Sequence, residues 1–103
     1  MDKSKNEVDD FVGKIKNKFT PQEIILFGSR AKKTSFAYSD YDFIIVSEKF
    51  KGMHWLERIS KIIKFWKLPY DIDVLAYTPE EYEDKKINSS TIRTALKEKY
   101  LIF

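Results

Sequence analysis

A chain of 103 residues is near the usual size of one domain, and no segment is rich enough in Pro, Gly or Ser to act as a linker. With no cysteine and a single histidine, the chain excludes disulfides, thiolate zinc sites and a histidine metal cluster, so any bound metal is expected to have oxygen ligands. The net charge is +3, and the basic residues alternate with acidic ones along the chain, as on a solvated surface. The polar start and the short apolar runs predict a cytoplasmic protein without a signal peptide or membrane span.

The first half of the chain predicts one helix and two strands. Apolar residues recur at spacings of three and four over 8–19, which indicates an amphipathic helix. The apolar run 23–27 follows Pro21 and is closed by Gly28, and the run 43–46 has the same character. Continuous short apolar runs of this kind are typical of buried strands.

A second helix is predicted over 53–67, because its apolar residues fall within an arc of about 120° on a helical wheel and should pack on the sheet. The residues of this arc are Trp55, Leu56, Ile59, Ile62, Ile63 and Trp66. Phe65 projects opposite the arc in the company of Arg58, Lys61 and His54, and an aromatic side chain among basic ones is a candidate docking patch, although a lone exposed phenylalanine is more often without function.

The last third predicts a strand, two helices and an edge strand. The run 72–76 is apolar, and Thr78 with Glu81 forms a capping box around Pro79, which predicts a helix over 79–87. Either Ser89 or Ser90 caps a further helix through Leu96, and 100–103 suits a short edge strand. The predicted fold is therefore a single α/β (α+β) domain over 1–103, with a small mixed sheet flanked by helices.

Two acidic clusters are the candidates for chemistry. Asp40 and Asp42 lead directly into the second strand, and in extended chain this spacing places both carboxylates on one face with Cα atoms roughly 6.5 Å apart. Such a pair can bind Mg²⁺, which takes carboxylates, water and substrate phosphates. By itself the pattern also fits a polar loop that ends in a strand cap.

Asp73 lies within the third apolar run, where a buried carboxylate needs a cation or a strong donor. If the third strand lies beside the second, Asp73 completes a triad with Asp40 and Asp42 that can hold two Mg²⁺ ions about 3.5 to 4 Å apart. A salt bridge to a lysine is the alternative. Asp71, two residues earlier on the same strand face, is the competing third carboxylate.

Gly28, Ser29 and Arg30 directly follow the first strand, where backbone N–H groups at a helix start can hold an anion. The order of Gly28-Ser29, Asp40-X-Asp42 about ten residues later, and Asp73 in a subsequent strand resembles the minimal nucleotidyltransferases of the DNA polymerase β superfamily. The resemblance covers nearly the whole chain and implies a polymerase-β-like nucleotidyltransferase fold.

The resemblance also implies roles for these residues. Gly28 and Ser29 would hold the triphosphate of ATP, while Asp40 and Asp42 would bind two Mg²⁺ ions. Arg30 is a candidate for a further phosphate contact, and a surface arginine without this role is the equal alternative. Asp73 would contact the metal nearest the attacking hydroxyl and help to deprotonate it. The family commonly has a glycine near position 33, where this chain has a lysine, so the geometry of that loop stays open.

Small members of this family resemble the antitoxin of a two-gene pair, which transfers AMP to a tyrosine hydroxyl of a helical HEPN ribonuclease toxin encoded beside it. The resemblance therefore implies ATP and a HEPN-type toxin as partners, and an oligomer is possible with the toxin. A non-catalytic binding antitoxin and a transferase acting on RNA or a small molecule are the alternatives. Because no RNA-binding domain or aromatic platform is evident, a nucleic-acid partner is disfavoured without being excluded.

Overall fold

The computed structural model describes residues 3–27, 41–97 and 100–103. Within them lie four α-helices, α1 (Lys3–Phe19), α2 (Trp55–Ile63), α3 (Pro79–Asn88) and α4 (Ser90–Lys97), and a 3₁₀ turn at Glu48–Phe50. The strands are β1 (Glu23–Phe27), β2 (Tyr41–Val46), β3 (Ile72–Tyr77) and β4 (Tyr100–Leu101). Their order in the sheet is β3-β2-β1-β4.

The described sheet is mixed, as the sequence predicts. β2 runs antiparallel to β1 and parallel to β3, while β4 pairs antiparallel with the other side of β1. A parallel pair needs a crossover, and the segment containing α2 makes it between β2 and β3. The predicted α+β fold with a small mixed sheet and flanking helices is confirmed.

Each face of the sheet has its own core cluster, because alternate residues of a strand point to opposite faces. The first face is covered by α1 and by Ile62 of α2, and the second by Tyr82 and Ile92 of α3 and α4. The central strand β2 serves both, with Phe43 and Ile45 on the first face and Ile44 and Val46 on the second, all essentially inaccessible to solvent.

Several predicted boundaries shift in the structure for local reasons. β2 starts at Tyr41 and not at Phe43, because the Tyr41 N–H donates to the Asp71 carbonyl at 2.9 Å and the parallel pairing begins there. The helix predicted over 53–67 spans only Trp55–Ile63. It ends because the N–H groups of Phe65 and Trp66 donate to carbonyls three residues earlier, a 3₁₀ geometry, and Pro69 follows soon after.

The predicted caps are present at the other helices. Thr78 and Glu81 form the capping box of α3, with the Glu81 N–H donating to Thr78 Oγ1 at 3.2 Å and the Thr78 N–H donating to Glu81 Oε1 at 2.9 Å. Of the two candidate serines, Ser89 caps α4, since its Oγ accepts from the Ile92 N–H at 3.2 Å. His54 caps α2 in the same way, with Nδ1 accepting from the Leu56 N–H.

The prediction that the whole apolar arc of α2 packs on the sheet is wrong. Ile62 is fully buried, but Trp55, Leu56 and Ile63 are 60%, 56% and 42% exposed. Arg58 takes the buried place instead and is only 7% exposed.

The candidate docking patch around Phe65 is not formed in the structure. Phe65 lies beyond the end of α2, is half-buried and packs against the first core cluster. With Arg58 buried and His54 capping the helix, these side chains do not form an exposed aromatic and basic surface.

Phe43→Ala should lower the free energy of unfolding by about 3 to 5 kcal/mol, because it leaves a cavity between α1 and the sheet. The matched control is Phe103→Ala. Phe103 is 45% exposed and its ring packs under the Lys16 ammonium, so this substitution should cost about 1 kcal/mol or less. Urea unfolding followed by circular dichroism measures both. Equal losses in the two variants would contradict the assignment of β2 as the central core strand.

Candidate functional site

Asp42 and Asp73 are direct partners in the parallel pairing of β2 and β3. Residues paired in this way point to the same face of the sheet, and the two strands are roughly 4.8 Å apart. Asp42 is half-buried and Asp73 is exposed, and both precede the apolar residues that continue each strand on this face, Ile44 and Leu75. The fold thus brings together two carboxylates that are 31 positions apart in the sequence.

The expectation that Asp73 is a buried carboxylate in need of a partner is wrong, because its side chain is exposed. The physical reason is the position of β3 at the edge of the described sheet. It has a neighbouring strand on one side only, so its first residues are open to solvent on the other side. Asp73 is therefore a candidate because of its register with Asp42, and not because of a cost of burial.

Asp71, the competing carboxylate, lies one residue before β3 and is also exposed. Its carbonyl accepts the Tyr41 N–H, so its backbone helps to start the strand pairing. It is Asp73, and not Asp71, that stands directly across from Asp42.

The remaining predicted site residues, Gly28, Ser29, Arg30 and Asp40, lie outside the described residues, as does Lys33. The described residues next to them are Phe27 at the end of β1 and Tyr41 at the start of β2. Phe27 is the pairing partner of Asp42, so β1 ends and β2 begins at the same end of the sheet as the two carboxylates.

The donor set at this end of the sheet fits a magnesium ion. Two carboxylates on adjacent strands repel each other, and a divalent cation relieves the repulsion while leaving positions for water and phosphate oxygens. Among the described residues no group of three or more His, Asp or Glu side chains lies close enough to hold a metal by itself. Asp42 and Asp73 alone would supply only part of the ligands of a Mg²⁺ ion, which also takes water and phosphate oxygens.

A second charged pair, which was not predicted from the sequence, lies between α2 and α3. The Arg58 guanidinium donates to both carboxylate oxygens of Glu81, at 2.5 and 3.2 Å, and also to the carbonyls of Met53 and Ala76. On a helical wheel Arg58 lies about 40° beyond Ile62, just outside the apolar arc, and this closeness to Ile62 was the available sign of its burial. The pair is structural, since it joins α2, the β3 edge and the cap of α3.

Three titratable groups on β3 and α3 have pKa values shifted from their ordinary values. The hydrogen bonds from Arg58 hold the pKa of Glu81 below its ordinary value of 4.5. Burial, with a smaller contribution from the charge on Glu81, raises the pKa of Tyr77. Burial and the nearby Glu23 raise the pKa of Tyr82 to about 12, so Tyr82 is a neutral core residue.

Comparison with known proteins identifies the class. The nucleotidyltransferase domain family matches residues 8–102. Because this match spans nearly the whole chain and includes both carboxylates, the protein belongs to the nucleotidyltransferase domain family, and the predicted family is confirmed. No curated protein matches the chain.

Solved structures confirm the fold. A protein assigned as a nucleotidyltransferase from Sulfolobus solfataricus superposes with a TM-score of 0.64 at 23% identity, covering 95% of this chain and 78% of that one. A toxin–antitoxin structure with AMP-PNP gives 0.58 at 19% identity, covering 95% and 71%. BolA1 from Arabidopsis thaliana gives 0.58 at 18% identity, covering 74% and 95%. At these identities the likeness concerns the fold alone, and its breadth shows that this arrangement of helices and sheet does not specify chemistry by itself.

None of the described helices has the length and apolar character needed to cross a membrane.

The Arg58–Glu81 pair predicts a dependence of stability on pH. A carboxyl group whose folded pKa is depressed contributes stability above its unfolded pKa, and this contribution is lost as the pH falls through the folded value. Glu81→Gln should therefore be less stable than the wild type near pH 6, and the gap should narrow below pH 4.5. Urea unfolding at several pH values measures the gap, and a gap that does not change with pH would contradict the prediction.

The matched control is Glu57→Gln, which removes an exposed i,i+4 pair with Lys61 on α2. Exposed pairs of this kind contribute about 0.5 kcal/mol or less, so this variant should remain close to the wild type near pH 6.

Proposed function

We propose that this protein is a Mg²⁺-dependent nucleotidyltransferase that transfers AMP from ATP to a tyrosine hydroxyl of a HEPN-type toxin encoded by a neighbouring gene, and so acts as an antitoxin in the cytoplasm. The observation that carries the chemical part is the direct pairing of Asp42 with Asp73 in a nucleotidyltransferase domain. The similar toxin–antitoxin structure with AMP-PNP supports a toxin as partner and an adenine nucleotide as substrate.

In the proposed reaction the tyrosine oxygen attacks the α-phosphorus of ATP. A new phosphorus–oxygen bond forms to tyrosine, the bond to the β-phosphate bridging oxygen breaks, and pyrophosphate leaves. The tyrosine proton passes to the Asp73 carboxylate and then to solvent. Transfer of this kind depends mainly on in-line positioning and charge neutralisation, and no covalent intermediate with the protein is needed.

Each predicted site residue has a place in this proposal. Asp40, Asp42 and Asp73 are the proposed catalytic and metal-binding carboxylates, and Gly28, Ser29 and Arg30 are the proposed contacts to the triphosphate. Mg²⁺, as two ions held by these carboxylates, would neutralise the phosphate charge and lower the pKa of the attacking hydroxyl. The exposure of Asp73 supports this role, since a carboxylate that takes a proton from an acceptor on another molecule must be reachable.

The transfer can be tested with ATP labelled at the α-phosphate, Mg²⁺ and the product of the adjacent gene. Asp42→Asn and Asp73→Asn should each reduce labelling of that protein by roughly 100-fold or more, because each removes a charge that stabilises the transition state. Asp71→Asn is the matched control and should retain nearly full activity. If Asp71→Asn fails and Asp73→Asn is active, the assignment of the third carboxylate is wrong.

The same proteins distinguish the alternatives. If the unlabelled partner is inhibited as strongly by Asp42→Asn as by the wild type, a non-catalytic binding antitoxin replaces the proposed enzyme. If label passes to RNA or to a small molecule and the partner stays unlabelled, the acceptor is not a protein. In both cases the proposal of toxin adenylylation fails.

A further inference from the structure

The exposed apolar side chains of α2 form one continuous stripe. Successive residues of a helix are about 100° apart, so Trp55, Ile59, Ile63 and Leu56 fall within an arc of roughly 100°. Ile59 is half-buried and the other three are 42% to 60% exposed. Large apolar side chains grouped in this way on the protein surface indicate a contact with another molecule.

Two residues of this stripe, Trp55 and Ile59, line a groove with a volume of about 770 Å³, and Leu56 and Ile63 lie outside its lining. Trp55 and Ile59 line the wall formed by α2, and the floor is the edge strand β3 over residues 74–77. The opposite wall is α3, where the groove is lined by Glu80, Glu81, Asp84 and Lys85.

The charge of the groove is opposite in sign to that of the chain. Arg58 neutralises Glu81, so the remaining charged lining residues are the exposed Glu80 and Asp84 against a single Lys85. The chain as a whole carries a net charge of +3. An apolar wall facing a mainly acidic wall suits a ligand with one apolar and one basic side.

The floor of the groove argues against an added strand as the ligand. The carbonyl of Ala76, which points away from β2, already accepts a hydrogen bond from Arg58 Nη1 at 3.0 Å. Filling the edge of a strand with a charged side chain is a known way of preventing further strand pairing. The volume of the groove is instead comparable with roughly two turns of an α-helix about 10 Å across.

We propose that the groove between α2 and α3 binds an amphipathic α-helix of a partner protein, with its apolar side against Trp55 and Ile59 and its Lys or Arg side chains toward Glu80 and Asp84. The groove is lined by residues 74–77 of β3, and neither Asp42 nor Asp73 is among its lining residues. The proposed binding therefore uses side chains other than the two carboxylates and does not depend on the proposed reaction.

The probes are two synthetic peptides of roughly 18 residues, long enough to form a helix on binding. Both carry the same leucine face, and the other face is all lysine in one peptide and all glutamate in its partner. Fluorescence anisotropy of the labelled peptides on titration with the full chain measures binding. The lysine peptide should bind at least about fivefold more tightly, and equal or reversed affinities would overturn the proposal.

Variants of the full chain test the position of the site. Trp55→Ser should abolish binding of the lysine peptide, and Asp84→Lys should weaken it about fivefold, since it reverses an exposed charge at the rim. The matched control Asp9→Lys makes the same reversal on α1, outside the groove, and should change binding less than about twofold. Circular dichroism of each variant establishes that it is folded. Unchanged binding by folded Trp55→Ser would exclude this groove.

Two further measurements distinguish binding of a partner helix from catalysis and from self-association. Asp42→Asn should bind the lysine peptide as the wild type does, so loss of nucleotidyl transfer and loss of groove binding are distinguishable. Sedimentation of the wild type at the titration concentrations should show a monomer. A dimer that Trp55→Ser dissociates would overturn the proposal and make a second copy of this chain the ligand.

Discussion

The parallel pairing of β2 with β3 is the constraint on which the rest of the structure depends. It requires a crossover, which α2 provides, and it places two faces of the sheet under separate helices. The same register sets Asp42 directly against Asp73. A slip of one residue would turn one of the two carboxylates to the opposite face, under α1, and would move the apolar residues of that strand away from their cores. Core packing and the candidate metal site are therefore fixed by one pattern of hydrogen bonds.

The edge position of β3 explains two features that otherwise look unrelated. At its first residues the open edge leaves Asp73 exposed, as the proposed transfer to an acceptor on another molecule requires. At its last residues Arg58 occupies the Ala76 carbonyl and joins α2 to the cap of α3. The first part of β3 thus carries Asp73, and its last part is joined through Arg58 to α2 and α3. The groove between these two helices lies along the edge of the same strand.

The sequence predicted local structure well, because its signals are local. The capping box at Thr78 and Glu81, the buried run of β2 and the helix predicted over 8–19, which spans Lys3–Phe19 in the structure, all depend on neighbours within a few positions. The placement of Asp42 near Asp73 required the further assumption that their strands pair. The sequence did not predict which edge of the apolar arc of α2 is buried, because Trp55, Ile59 and Ile62 are all apolar. The ion pair of Arg58 with Glu81, 23 positions later, fixes the rotation of the helix and buries the edge at Ile62.

The burial of Arg58 leaves apolar side chains of α2 exposed to solvent. Burial of Arg58 rotates α2 so that Trp55 and Leu56 face solvent, and exposing them forfeits hydrophobic stabilisation that burial against the sheet would have supplied. A small domain has little such stabilisation to spare. A surface of this kind is most simply retained when another molecule covers it. Because neither Asp42 nor Asp73 lines the groove, a partner bound there can leave the proposed catalytic carboxylates accessible.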